Sequence, residues 1–187
     1  ADTLFSTLPT LAVLFGEERA REIMQKYPGL LMSRGSTIRE AMPPLIEILG
    51  REGAMEAVLK NGNLLTARSS TILEANRAVQ TLFGDRKAAK IVARSPYILR
   101  ASANNILATH AKMVELVGTE SALAILEEKN ILLLNRPDTL QDRFDIICEA
   151  FDGNRKNAVA ELKARPRILT FSVSILRKLP AASITEE

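Results

Sequence analysis

The side chains able to do chemistry are few and scattered. His110 is the only histidine and Cys148 the only cysteine in 187 residues. A catalytic imidazole needs a nucleophile to activate, a metal-binding one needs further ligands, and a single thiol closes no intrachain disulfide. Neither residue has such a partner at motif spacing. His110 shares its register with Met42, Asn76 and Phe144, and Cys148 shares its own with Ile46, Gln80 and Val114. These positions suit a packed or half-buried imidazole and a small hydrophobe. The glycines are spread along the chain and never cluster into a phosphate cradle. No catalytic residue, cofactor site or metal site is expected, and the chain reads as non-enzymatic.

The remaining chemical signal is basic. Arg34, Arg68 and Arg136 fall at one register, with Ser102 in the third slot and Arg100 beside it, while Lys26, Lys60 and Arg94 form a second row. One reading is a ladder of phosphate contacts, each neutralising one backbone charge. The other is that helix C-termini prefer cations and that surfaces need charge. The totals give a polyanion little to hold: 25 Lys plus Arg against 22 Asp plus Glu is a net +3, although the pI is about 9.2. Aromatic stacking platforms are also missing, since Tyr27 and Tyr97 flank helix stops and the six Phe mostly occupy apolar registers. The seven cations together form the candidate binding stripe.

The elements that must carry these rows are helices. Apolar residues make up 47% of the chain, charged residues 25% and aromatics only 4%, a balance that supports one globular all-α domain with a sizeable core. Apolar runs such as Ile131 to Leu134 are far too short for a membrane span. The chain begins at Ala1 and lacks the Arg-rich look of a transit peptide, so a mature chain with its targeting segment removed is the expectation.

An internal period organises the whole sequence. Glycines stand at Gly16, Gly50, Gly84, Gly118 and Gly153, and alanines follow at Ala20, Ala54, Ala88, Ala122 and Ala158. Helix stops come at Pro28, Gly62, Pro96, Asn130 and Pro166, each with an aliphatic three residues on: Leu31, Leu65, Leu99, Leu133 and Leu169. Heptad-spaced residues continue the pattern at Ile38, Ile72, Ile106, Leu140 and Leu176, then Leu45, Val79, Met113 and Ile147. Each copy thus predicts two helices, the first about ten residues long with acids (Glu17, Glu18, Asp85, Glu120) in its opening turn. Thr37 with Glu40, Thr71 with Glu74 and Thr139 with Asp142 have capping-box spacing and predict where the second helix starts. A lone hairpin cannot bury its apolar stripe, so the copies must stack. The expected fold is an α-solenoid of about five 34-residue helical-hairpin repeats (15–48, 49–82, 83–116, 117–150, 151–180) with a loose tail at 181–187. The five register leucines are expected between neighbouring copies, and the terminal copies are expected to be the least stable.

Thirty-four is also the period of tetratricopeptide repeats, but there the proline closes the unit, whereas here it stands in mid-unit. The sequence resembles instead the mitochondrial transcription termination factor (mTERF) family, whose repeat is a proline followed by leucine-like residues at heptad spacing. Pro28 with Leu31, Ile38 and Leu45 carries the match, as does Pro96 with Leu99, Ile106 and Met113. The resemblance covers Phe15 to about Leu179 and departs from the pattern at Gly62 and Asn130. It implies an organellar protein, and it implies nucleic-acid binding through a basic concave side as one role. Similar repeats in algae with complex plastids imply another. Two expectations follow: a scaffold or accessory subunit docking on protein subunits of a larger assembly, a plastid photosynthetic complex first, or an organellar nucleic-acid binder, in the plastid or the mitochondrion. Under the first, the chain is at most peripheral to a membrane.

Overall fold

The computed structural model describes residues 2–177, with side chains from Ser6 onward; Leu179, Pro180 and the tail 181–187 lie outside the described residues. The chain is all-helical, with no strand among the described residues. It divides between Ala103 and Asn104 into two compact units.

The first unit holds α1 (Asp2–Phe15), α2 (Glu17–Lys26), α3 (Gly35–Lys60), α4 (Ser69–Phe83) and α5 (Asp85–Arg94). Three 3-10 turns separate them: η1 (Pro28–Met32), η2 (Gly62–Thr66) and η3 (Pro96–Arg100). The second unit holds most of α6 (Ala103–Val117), then α7 (Thr119–Glu128), η4 (Asn130–Leu134), α8 (Pro137–Ala150), α9 (Arg155–Ala164), η5 (Pro166–Thr170) and α10 (Val173–Leu176). The same succession of ten-residue helix, five-residue 3-10 turn and second helix therefore recurs along the chain, starting at each glycine of the period.

Those glycines have a shared physical reason. Gly16, Gly50, Gly84 and Gly118 adopt φ between 71° and 82° with ψ between 158° and 166°, a region that a Cβ essentially forbids. It turns one helix directly into the next without a loop. At Gly50 the joint is so tight that α3 runs through it as a kinked helix. The fifth joint is longer: Asp152 (φ 53°) and Gly153 (φ 77°) are both left-handed, which is how the last copy absorbs its extra residues.

The stretch after each stop is an ordered 3-10 turn rather than a plain apolar linker. Its third and fourth residues, such as Leu64 and Leu65 or Ile98 and Leu99, are fully buried. The turns pack on one another within each unit, η1 on η2 on η3, and η4 on η5. The leucine register is buried at Leu65, Leu99, Leu133 and Leu169, but Leu31 is half-buried and Leu30 alone fills the core there. No 3-10 turn precedes η1 among the described residues, so this register has one neighbour fewer.

The capping boxes are not used. The second helices start earlier, with Arg34, Arg68 and Arg136 as N-cap residues whose carbonyls accept the amides of Ile38, Ile72 and Leu140. Thr37, Thr71 and Thr139 thereby fall inside the first turn. The turns η1, η2 and η4 leave the chain extended at the arginine (φ −71° to −76°, ψ 140° to 146°), which is N-cap geometry already, so the helix begins before the threonine is reached.

Polar side chains on α1, α6 and α8 latch these second helices to the following 3-10 turn or its exit. The Thr7 hydroxyl donates to the Ser33 carbonyl at 2.8 Å, Thr109 to Asn135 at 2.7 Å, and Arg143 to Leu169 at 2.7 Å. These three residues share a register whose other members, Ala41 and Ala75, are fully buried. Ser69 serves the same end differently. Pro44 lacks the amide that would bond the Glu40 carbonyl inside α3, and the Ser69 hydroxyl donates to that carbonyl instead.

Candidate functional site

The two basic rows occupy electrically opposite positions. Lys26, Lys60 and Arg94 are the last residues of α2, α3 and α5, at the negative end of the helix dipole, where a cation is favoured. Lys26 also donates to the Leu59 carbonyl at 3.1 Å and stands 5.7 Å from the Tyr27 ring centroid, while Lys60 pairs with Glu56 at 3.7 Å. Cation preference at helix ends accounts for this row.

It cannot account for the other. Arg34, Arg68 and Arg136 sit on N-caps, where the helix dipole already places positive charge, and no side chain caps the free amides there. All three are exposed, without a side-chain hydrogen bond or ion pair among the described residues. Ser102 precedes α6 at the same register, and Arg100, also exposed, closes η3. Arg34, Arg68 and Arg100 belong to the first unit and Arg136 to the second.

Carboxylates line the same helices. Glu40 and Glu47 on α3, Glu74 on α4, Glu115 on α6, and Asp142 and Glu149 on α8 are all exposed. Charge also differs between the units: the sequence up to Ala103 has 14 basic and 10 acidic residues, the rest 11 and 12.

His110 and Cys148 are both half-buried. Burial alone holds the His110 imidazole below its ordinary pKa, and its Nε2 has no hydrogen-bond partner among the described residues. Burial raises the Cys148 thiol, with Arg155 opposing and Asp145 assisting. Because burial depresses the folded-state pKa of His110, the unfolded chain takes up its proton first as pH falls. Stability should therefore drop from about pH 6.5 downward. His110→Asn, the residue that Asn76 places at this register, should remove that part of the drop, as read from urea midpoints at pH 7 and pH 5; equal losses in both proteins would contradict it.

Sequence reasoning missed Arg155, whose guanidinium lies 5.1 Å from the Phe144 ring centroid and donates to the Glu115 and Leu116 carbonyls at the end of α6. Only its place as the first residue of α9 hinted at this. No group of three or more residues that could hold a metal occurs among the described residues, nor is any helix there long and apolar enough to cross a membrane. Compared with protein-family models and with curated proteins, the chain matches none.

Proposed function

We propose that the chain is a non-enzymatic helical-repeat scaffold, an accessory subunit that docks on protein subunits of a larger organellar assembly, with a plastid photosynthetic complex as the first candidate. This reading takes the five copies as one α-solenoid, because every copy carries the same apolar registers. The observation that carries it is the mixed sign of the exposed surface. Each N-cap arginine shares its helix with one to four exposed carboxylates, so a polyanion laid along the helix would meet repulsion beside each attraction. A protein surface can match both signs. The test is retention of the tagged full chain in its native complex after nuclease and a salt wash. Release by nuclease would overturn the scaffold reading.

One observation favours the second reading, an mTERF-type organellar nucleic-acid binder: three unpartnered arginines stand on N-caps with uncapped amides, and helix N-termini favour phosphate. The two readings separate on Arg34→Ala, Arg68→Ala and Arg136→Ala combined. Phosphate contacts predict binding weakened uniformly across sequences and a salt slope reduced by about three. Docking on protein predicts that at most one of the three matters strongly, because a few central residues carry most of an interface. We expect the latter, with weak, salt-sensitive and sequence-blind nucleic-acid binding by the wild type. Submicromolar binding at about 0.15 M salt, abolished by the triple substitution, would replace the scaffold reading with the other.

A further inference from the structure

Charge in the second unit is nearly balanced in total but not in place. Residues 119–150 hold seven acids and three cations, whereas residues 154–177 hold six cations and one acid, Glu161, which Arg165 engages. The contrast is sharpest on two first helices that pack together, α7 and α9. α7 carries Glu120, Glu127 and Glu128 and is the only first helix among the described residues without a cation. α9 carries Arg155, Lys156 and Lys163, and Arg167 follows in η5. Between the two helices lies a cleft of about 250 Å³, with Glu120 and Glu128 on the α7 wall and Lys163 and Pro166 on the other. Its floor is apolar, since Ile125 and Pro166 are buried. Glu120 and Lys163 are both exposed, and neither has a hydrogen bond or ion pair among the described residues, so neither charge is neutralised across the cleft. The groove between α2 and α3 differs, because there Arg51 stands beside Glu52 and Glu56 on one wall.

We infer that this cleft receives an amphipathic helix of a partner protein, with a cationic edge against α7, an acidic edge against α9 and an apolar side chain between them. The inference rests on the docking reading and names the place and the chemistry of that contact. Volume decides the size of the occupant. Small-molecule pockets run to roughly 300–1,000 Å³, so this smaller cleft takes one or two side chains of a larger partner. Charge decides its pattern. A uniformly acidic segment, nucleic acid included, would be repelled by Glu120 and Glu128, and a uniformly basic one by Lys163; a segment with one sign along each edge satisfies both walls. A helix supplies such edges, because its residues three and four apart line up. α7, with ten residues, offers about 15 Å of wall, which matches about three turns of a docked helix.

The test has two arms, both on the full chain, with far-ultraviolet dichroism confirming that each variant is folded. In the first, retention in the native complex is compared for the wild type, Glu120→Lys, Lys163→Glu and Glu22→Lys, the last an exposed acid on α2 outside the cleft. The two cleft reversals should lower retention at least about tenfold, and Glu22→Lys should not. In the second, the probes are designed helical peptides of about 18 residues, long enough to hold a helix in water. One has Lys along one edge, Glu along the other and Leu between; the others carry only Glu or only Lys at the edges. The mixed peptide should bind at least about tenfold more tightly than either uniform one. Each single reversal should abolish that preference. The double reversal, Glu120→Lys with Lys163→Glu, should restore it, because a helix can lie in the cleft in either direction. Retention of both cleft reversals alongside the wild type would overturn the inference and leave the docking reading standing, whereas a wild type that is itself not retained would overturn both. Equal binding of all three peptides or of none, or tightest binding of the all-Glu peptide, as a polyanion site would give, also overturns it.

Discussion

Leu65→Ala is expected to lower stability by about 2–5 kcal/mol, the range for removing a fully buried leucine whose site cannot collapse. Leu65 has no exposed surface. It sits in η2, which packs on η1 before it and η3 after it, so the void would open between two ordered turns with fixed backbones. Leu31→Ala, at the same register, is the internal comparison. Leu31 is already half-exposed, and its loss should cost about 1 kcal/mol or less. Urea denaturation followed by dichroism measures both. Equal costs would show that the stacking of 3-10 turns is not what buries this register.

Gly62→Ala is expected to cost about 1–3 kcal/mol through overpacking. Its backbone is not left-handed, so conformational freedom is not the reason for glycine here; proximity is. A Cβ at this position would lie 2.5 Å from Cδ2 and 2.8 Å from Cγ of Tyr27. The ring cannot simply swing aside, because the Tyr27 hydroxyl donates to the Lys60 carbonyl at the end of α3. Gly29→Ala, with nothing within 4 Å of the added carbon, should be nearly neutral. Tyr27→Ala should relieve the clash, so the double substitution Tyr27→Ala with Gly62→Ala should cost less than the two single costs added. Additive costs would show that the ring is not the obstacle. The same contact explains a gap in the sequence pattern: Pro28, Pro96 and Pro166 stand at this register, and a proline ring at Gly62 would meet Tyr27 as well.

Much of the fold could be read from the period, because it records local backbone demands. The glycines mark joints that only glycine can adopt, the stops mark the ends of ten-residue helices, and acids open those helices where the dipole favours them. Errors arose where two local signals competed. Thr37 and Glu40 have the spacing of a capping box, yet the 3-10 turn delivers an extended Arg34 two residues after Met32, and the helix starts from there. The 3-10 turns themselves were hidden, since five residues such as Pro28 to Met32 carry no periodicity to read.

The basic rows show the same limit for the candidate site. Spacing placed Lys26, Lys60 and Arg94 just before the helix stops, but it could not say that Arg34, Arg68 and Arg136 begin the helices that follow. That distinction depends on where each helix starts, and it reverses the electrostatic meaning of an identical charge. Thr7, Thr109 and Arg143 escaped notice for a related reason: their register is filled elsewhere by alanines, and the carbonyls they bond are 26 residues away.

By itself, then, the sequence determined the helical class, the period, the joints and most of the buried registers, because these follow from φ/ψ limits and apolar spacing within a single copy. Tertiary structure alone decided that Leu31 loses the cover its equivalents keep and that Gly62 must yield to Tyr27. Each of those depends on which neighbour is present or missing beside one copy, and a repeat pattern, being the same in every copy, does not encode that.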